Sequence, residues 1–332
     1  MKKTLNEPVL YGTGGLVSPE DPRDYQWSEL GMGAIPFNWE LGYDIKIPIS
    51  LKNQNGSGSC GGQAMAYYGE VLESLATKTT EERSAKFIYA QTAVPGSGSY
   101  LRDNCEIAVK QGWATESVLP SYENGNPPSE AFMTRKEDIT EAVRANATQS
   151  RALSYAMVDR KNIDAVAQAI ANNHGAIILL RGENNGTWYT PYPFVTNGTG
   201  QWGHFLYCCG AKLIAGKKYI KVKNSWGNVG ENGYQYISED FFTNGYIYEV
   251  RTMVFNDKPS KFIFNKDLHV GMRNADVLQL HHRLVDEGYA TFEPTGYFGQ
   301  ATLRAVIKYQ RAKGITPAVG YCGKLTRASL NK

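Results

Sequence analysis

The sequence predicts an α+β body followed by a small helical module. Helix-period patterns come early in the chain and strand-period patterns come late, the order of an α+β fold rather than of alternating β–α–β units. After a stretch at 256–266 that contains Pro and Lys, the pattern changes again, to three short helices. The chain has 332 residues, 42% hydrophobic and 20% charged, which is enough apolar material for a real core and for more than one domain.

Residues 1–35 are rich in Gly, Pro and charge and read as an extended arm. From Gly61 to Lys78 apolar residues recur at Met65, Tyr68, Leu72 and Leu75, one stripe on a helix. Gly61 and Gly62 open this helix. Each costs it about 1 kcal/mol against alanine, so another need placed them, and room for a substrate is one candidate. Asn104 to Gln111 is helical and ends at Gly112. Asn162 caps a helix carrying Ile163, Val166 and Ile170, closed near Gly175. The apolar run Ala176–Leu180 then reads as a buried strand. Trp202–Cys209 and Lys217–Asn224 alternate as two further strands joined through Ala215-Gly216. These patterns give a body at 36–255, a linker at 256–266 and a helical module at 267–332. In the module, Asn274 precedes a helix with Val277, Leu280 and Leu284 that stops at Gly288. A second helix carries Leu303, Val306 and Ile307 and stops at Gly314, and a short third follows Gly323.

The net charge of +3 is too small to imply nucleic acid. It is unevenly spread: residues 266–332 hold ten Lys/Arg and five Asp/Glu, so +5, which leaves −2 for the rest. A basic module on a near-neutral body suits a polyanionic partner. The five cysteines (60, 105, 208, 209 and 322) have no framework spacing, and no CxxC pair points to zinc. Neither a metal nor a cofactor is expected. Cys208 and Cys209 are expected to be buried thiols. The pair His281-His282 reads as part of a solvated helix face, because adjacent residues on a helix point apart. No convincing signal peptide opens the chain, and its longest central apolar run is far too short to span a membrane.

The chemistry concentrates in three places. Gln54-Asn55-Gly56-Ser57-Gly58-Ser59-Cys60 sets a cysteine at a helix start, where unpaired N–H groups and a partial positive charge favour a thiolate. Far downstream stand Gly203-His204 and Lys223-Asn224-Ser225-Trp226-Gly227, followed by Gly230-Glu231-Asn232-Gly233-Tyr234. This order resembles the papain family of cysteine peptidases, from about Pro36 to Val254. Gly61-Gly62-Gln63-Ala64 is similar to the bacterial, archaeal and phage branch, as is Asp21-Pro22-Arg23-Asp24-Tyr25 in the arm. The resemblance implies two lobes, one helical and one β-barrel-like, with a cleft between them. It implies Cys60 as nucleophile, His204 as its base, Asn224 as the residue that orients His204, and Gln54 as oxyanion donor. Trp226 is implied to cover the His–Asn hydrogen bond, and Gly98 to bond an extended substrate. The bulky Phe205 stands where small residues often line the specificity pocket. There are departures too. Gly61 replaces the tryptophan usual after the nucleophile, and Ser57 replaces the cysteine of the familiar disulfide.

The last segment resembles the three-helix peptidoglycan-binding domain of bacterial and phage wall enzymes. The matching residues are Asp276 to Leu280, Gly296-Tyr297-Phe298-Gly299, Thr302, Ala305-Val306, Gln310, Gly320, Gly323, Thr326 and Leu330. Together the two resemblances imply a cysteine endopeptidase with a peptide or protein substrate, carried to bacterial peptidoglycan by residues 267–332. They suggest synthesis in the cytoplasm and action at the wall after lysis or as a virion component. The second class of function is a wall-binding or virion structural protein with a retired protease fold. The arm shows no helical stripe, so it is expected to lie across a surface and the enzyme to be active as made.

Overall fold

The structure, a computed structural model, describes residues 13–21, 24, 26–27, 37–198, 200–255, 264–292 and 294–331. Residues 1–12, linker residues 256–263, and Pro22, Arg23 and Tyr25 of the Asp21–Tyr25 segment lie outside these. The chain divides into two compact units, one of Met1–Asp24 and Pro36–Asn256, the other of Tyr25–Ile35 and Asp257–Lys332.

In the larger unit the order is β1 (Gly15–Leu16), β2 (Tyr43–Asp44), α1 (Cys60–Thr77), α2 (Ala85–Thr92), β3 (Ser99–Tyr100), α3 (Leu101–Lys110), α4 (Glu130–Met133) and α5 (Glu141–Ala147). It continues with β4 (Ala152–Met157), α6 (Ile163–Asn173), β5 (Ala176–Glu183), β6 (Gln201–Ile214), β7 (Lys217–Lys223), β8 (Tyr234–Ser238), α7 (Glu239–Thr243) and β9 (Ile247–Phe255). The sheet runs β4-β9-β5-β6-β7-β8 with β2 added to β6, and every pairing in it is antiparallel.

Helix α1 is more deeply placed than one apolar stripe implies: every residue from Cys60 to Leu72 is buried. It lies between α2 and α3 on one side and β6 on the other, and its apolar residues share a core with Ile177, Leu179, Phe205 and Tyr207 of the sheet. Its polar atoms are used where they are buried, as burial requires. The Tyr68 hydroxyl donates to the Gly175 carbonyl at 2.6 Å and accepts from Met253 N at 3.1 Å. Glu70 pairs with buried Lys52 at 2.6 Å.

The opening glycines serve packing within the protein and leave no room for a substrate there. A Cβ on Gly61 would sit 2.3 Å from Asn104 Nδ2 and 2.6 Å from Ser99 Oγ, and one on Gly62 would sit 2.5 Å from the Ala85 carbonyl. The Asn162 cap forms as expected, accepting from Asp164 N and Ala165 N, and His174 takes the left-handed C-cap just before Gly175. Ala215 and Gly216, both at positive φ (50° and 78°), make the tight β6–β7 hairpin. Both faces of β6 are covered from His204 to Ala211, so both neighbouring cysteines are buried, and all five thiols are free.

The smaller unit holds α8 (Ala275–Asp286), α9 (Gln300–Ala312) and α10 (Lys324–Leu330). Val277, Leu280, Leu284 and Val306 form its core with Leu268, Phe298, Ala305, Tyr309 and Cys322, while Leu303 packs at the margin. His281 corrects the solvated-face reading: it is 1% exposed, with Nε2 2.7 Å from Thr302 Oγ1 and Nδ1 accepting from Thr295 N at 3.2 Å. Its ring closes the α8–α9 contact.

Replacing Asn162 by Ala should lower the stability of the larger unit by about 1 kcal/mol, and by Asp hardly at all. Denaturant midpoints test this. An equal loss in the Asp variant would remove capping as the reason.

Candidate active site

The site lies where the two halves of the larger unit meet. Backbone bonds join the segment before α1 to the segment after β7: Gln54 N donates to the Ser225 carbonyl at 2.8 Å and Gly227 N to the Lys52 carbonyl at 3.0 Å. Tyr67 of α1 reinforces the join, donating from its hydroxyl to the Asn224 carbonyl and accepting from Lys52 N, each at 3.0 Å.

Cys60 is the first residue of α1, and its N-cap, Ser59, makes no side-chain cap. Backbone N–H groups of Phe205, Gly14, Gly61 and Cys60 itself converge on the thiol, which sets it beside the His204–Phe205 stretch of β6. His204 is buried, with Nε2 2.9 Å from Asn224 Oδ1. That oxygen also accepts from Ser225 N at 2.7 Å, and Asn224 Nδ2 donates to Gln235 Oε1 at 2.8 Å. The amide is therefore oriented by its neighbours, and the proton of His204 belongs on Nε2. Nδ1 is buried and, among the described residues, makes no hydrogen bond, so its lone pair is available for a proton. The Trp226 ring stacks on His204 at 4.4 Å. Trp202 and Trp188 stand edge-on to Trp226 at 5.4 and 6.3 Å.

Gln54 is buried, its Oε1 accepting from Ser225 Oγ at 2.6 Å and its Nε2 donating to the Ser57 carbonyl at 2.8 Å. Gly98 (φ 99°) lies on the helical side, its N–H donating to the Tyr89 hydroxyl at 2.8 Å. Phe205 is buried in the main core, packed toward Gly61. Among the described residues no cluster of three His, Cys, Asp or Glu side chains could hold a metal ion.

Among the described residues of the arm, Gly14 and Gly15 do not lie on an outer surface. Gly14 and Gly15 thread between the halves. Ser99 N donates to the Gly14 carbonyl at 2.9 Å, and Gly15–Leu16 pairs in parallel with Ser99–Tyr100. The fit admits only backbone. A Cβ on Gly14 would sit 2.2 Å from the Gly58 carbonyl oxygen, one on Gly98 2.6 Å from the Gly14 oxygen, and one on Gly203 2.3 Å from the Gly15 oxygen. The Gly14 carbonyl is taken by Ser99 N, while its N–H is among those that lower the thiol pKa.

Beyond the cleft a clasp holds the arm. Ser18 N donates to Glu249 Oε2 at 3.0 Å, and the Arg251 guanidinium donates twice to Asp24, at 2.9 Å each. Arg102 also pairs with Asp24. Burial pushes the Asp24 carboxyl up, but hydrogen bonds from Arg251 and Arg102 hold it below its ordinary value.

Under the arm, Cys60 and His204 are both fully buried. Burial pushes the Cys60 thiol up to about 11, against the backbone N–H groups, and pushes His204 down to about 4, against its bond to Asn224. Burial thus disfavours the charged form of both groups. Sequence reasoning missed three contributors: Gly14-Gly15, Gln235 and the Trp188–Trp202 wall. Gln235 directly follows the quoted Gly-Glu-Asn-Gly-Tyr motif, whereas nothing local marks the glycines of the arm.

The chain is similar to xylellain, a cysteine protease from Xylella fastidiosa: TM-score 0.60, 20% identity, 76% of this chain and 99% of that one. The fold is that of the papain-like cysteine proteases. A procathepsin B from Trypanosoma congolense matches at TM-score 0.56 and 15% identity, over 73% of this chain and 86% of that one. Procathepsin L 3 of Tenebrio molitor larval midgut matches at 0.51 and 16%, over 70% and 76%. Residues 273–330 match the family model of the peptidoglycan binding domain. No curated protein matches the chain.

With the thiol raised to about 11, only about one Cys60 in 10⁴ is thiolate at pH 7, so iodoacetamide should label the intact chain very slowly. Gly14→Val cannot keep its place against Gly58 and should speed labelling of Cys60 at least about tenfold, because exposure to water lowers the thiol pKa. Equal rates would mean that the arm does not shield the thiol.

Proposed function

We propose that the larger unit is a cysteine endopeptidase and that residues 267–332 carry it to bacterial peptidoglycan, where it cuts wall-linked peptides or proteins held at the wall. The observation that carries this reading is the imidazole fixed by Asn224, its open Nδ1 on the strand that reaches the Cys60 thiol. In the mechanism, Nδ1 of His204 takes the thiol proton and Sγ attacks the substrate carbonyl. The oxyanion is held by the Cys60 N–H and the Gln54 amide. The imidazolium then protonates the leaving amine, and water, activated by the same ring, releases the acyl group. Asn224 keeps the ring in the correct tautomer, and Trp226 keeps water from the His204–Asn224 bond. Gly98 supplies backbone to an extended substrate, and Phe205 limits the volume beside it.

In the same reading the arm holds the enzyme latent until it leaves the cleft, replacing the expectation of activity as made. The basic module and the wall target favour a lytic or virion-borne enzyme, released or injected at its site of action. Mass spectrometry of wall fragments and of a peptide library after digestion tests the activity and identifies the bond.

In an arm-displaced chain, Cys60→Ala should abolish hydrolysis while leaving fold and wall binding intact. Gln54→Ala should lower kcat by about 10²–10³ with a smaller change in KM, and Asn224→Ala should cost less than Cys60→Ala. Normal turnover by the Cys60 variant would sink the peptidase reading.

With the arm displaced, the thiol pKa falls and the His204 pKa rises, so kcat/KM should follow a bell against pH. The acid limb falls where the thiol keeps its proton, and the alkaline limb falls where the imidazolium loses its own. A profile that rises steadily to the ordinary thiol range would exclude the coupled pair.

A further inference from the structure

The smaller unit contains the same loop twice. Gly296-Tyr297-Phe298-Gly299 leads into α9, and Gly320-Tyr321-Cys322-Gly323, 24 residues later, leads into α10. In each, the first glycine is buried at positive φ (70° and 80°), the tyrosine is exposed, the next side chain is buried in the core, and the second glycine is the helix N-cap. A buried threonine three residues into the helix donates back to the tyrosine carbonyl, Thr302 to Tyr297 and Thr326 to Tyr321, at 3.4 Å in both. Each threonine is held in turn by a buried polar side chain, Thr302 by His281 and Thr326 by Gln310.

Both loops place their tyrosine in one pose. The ring lies against the glycine two residues on: a Cβ on Gly299 would sit 3.3 Å from the Tyr297 ring, and one on Gly323 would sit 2.8 Å from the Tyr321 ring. These rings are 42% and 44% exposed, although the residues around them are core. One short segment pairs with both loops, through Leu268 with Cys322 and Arg273 with Tyr297, so the two loops adjoin the same stretch of chain. On that segment His269 lies parallel to the Tyr321 ring (8° between planes, 6.2 Å) and the Arg273 guanidinium lies over Tyr297 at 5.1 Å. The Tyr321 hydroxyl donates to Asp267 at 2.7 Å, and Asp267 pairs with Arg327 at 2.6 Å.

We infer that Tyr297 and Tyr321, with Arg273 and His269 between them, are the glycan-contacting platform of this module. The inference rests on the reading that the module holds peptidoglycan. A braced, exposed ring loses little freedom on binding and offers a flat, electron-rich face. The C–H face of an amino sugar fits it, and in a glycan strand such faces recur along the chain. His269 and Arg273 are four residues apart, at most about 13 Å along the segment, a span that a short glycan segment bridges. Arg273 adds a cation that can donate hydrogen bonds to the hydroxyl and acetamido oxygens of the sugars, in keeping with the excess of Lys and Arg in this part of the chain.

The test is co-sedimentation of the full chain with purified sacculi in the cold, with each unit's unfolding followed by circular dichroism. The double variant Tyr297→Ala, Tyr321→Ala should weaken binding about tenfold or more with unchanged unfolding. The corresponding Phe pair, which keeps both ring faces, should bind within about twofold. Binding should persist on sacculi whose stem peptides have been removed enzymatically. If the parent chain pellets and the double Ala variant pellets equally, the platform is wrong while the wall-binding reading stands. Loss of binding by the Phe pair equal to that by Ala, or loss on stem-free sacculi, also overturns the glycan assignment. A parent chain that stays in the supernatant overturns the wall-binding reading itself.

Discussion

The side-chain amide of Asn224 is the constraint on which the site depends. Its oxygen faces His204 and the Ser225 N–H, and its nitrogen is taken by Gln235, which is itself held by the carbonyls of Trp188 and Thr190. Rotating the amide by half a turn would set donor against donor at Ser225 and acceptor against acceptor at Gln235. Buried groups left so mismatched each cost about 1–3 kcal/mol. One orientation therefore wins, and it dictates which imidazole nitrogen carries the proton. The backbone of Asn224 accepts from Tyr67, so the same residue that sets the tautomer also ties the sheet to α1.

Close approach of backbones is the second organising feature. Gly14, Gly98 and Gly203 let the arm lie against the two walls of the cleft, and Gly61 and Gly62 let α1 sit tightly on α2 and α3. The consequence is electrostatic as well as steric. Excluding water from Cys60 and His204 disfavours the charged form of both, and for the thiol this outweighs the backbone N–H groups that favour the thiolate. Under the proposed function, the segment that covers these groups also holds them in their uncharged forms.

The resemblance made much of the fold legible, and local chemistry did the rest. Gln54, Cys60, His204 and Asn224 stood out because each occurs within a short motif, and the structure gathers all four at the junction of the two halves. Asn162 as a cap and Ala215-Gly216 as a hairpin were readable because caps and turns depend on a few adjacent residues. Helix α1 was read as one-sided because a period of apolar residues reports a face, and cannot say that neighbours cover the other faces too. His281 was misjudged for a related reason. A polar side chain looks solvent-facing until a partner 21 residues away, Thr302, satisfies it inside. The paths of β4 and β9, which pair across about a hundred residues, and the seating of Gly14-Gly15 are non-local. They are set by what the rest of the chain leaves open, so composition suggested only an arm.

Because the arm belongs to the chain it covers, its hold is a matter of tether and not of dilution. A peptide from outside meets a ligand already present at the effective concentration that a covalent connection provides. Lowering the protein concentration leaves that competition unchanged, whereas an intermolecular inhibitor would dissociate. A single cut in the chain between the arm and α1 would remove the advantage at once. Covering by the arm is therefore indifferent to how many copies are present and sensitive to one covalent event.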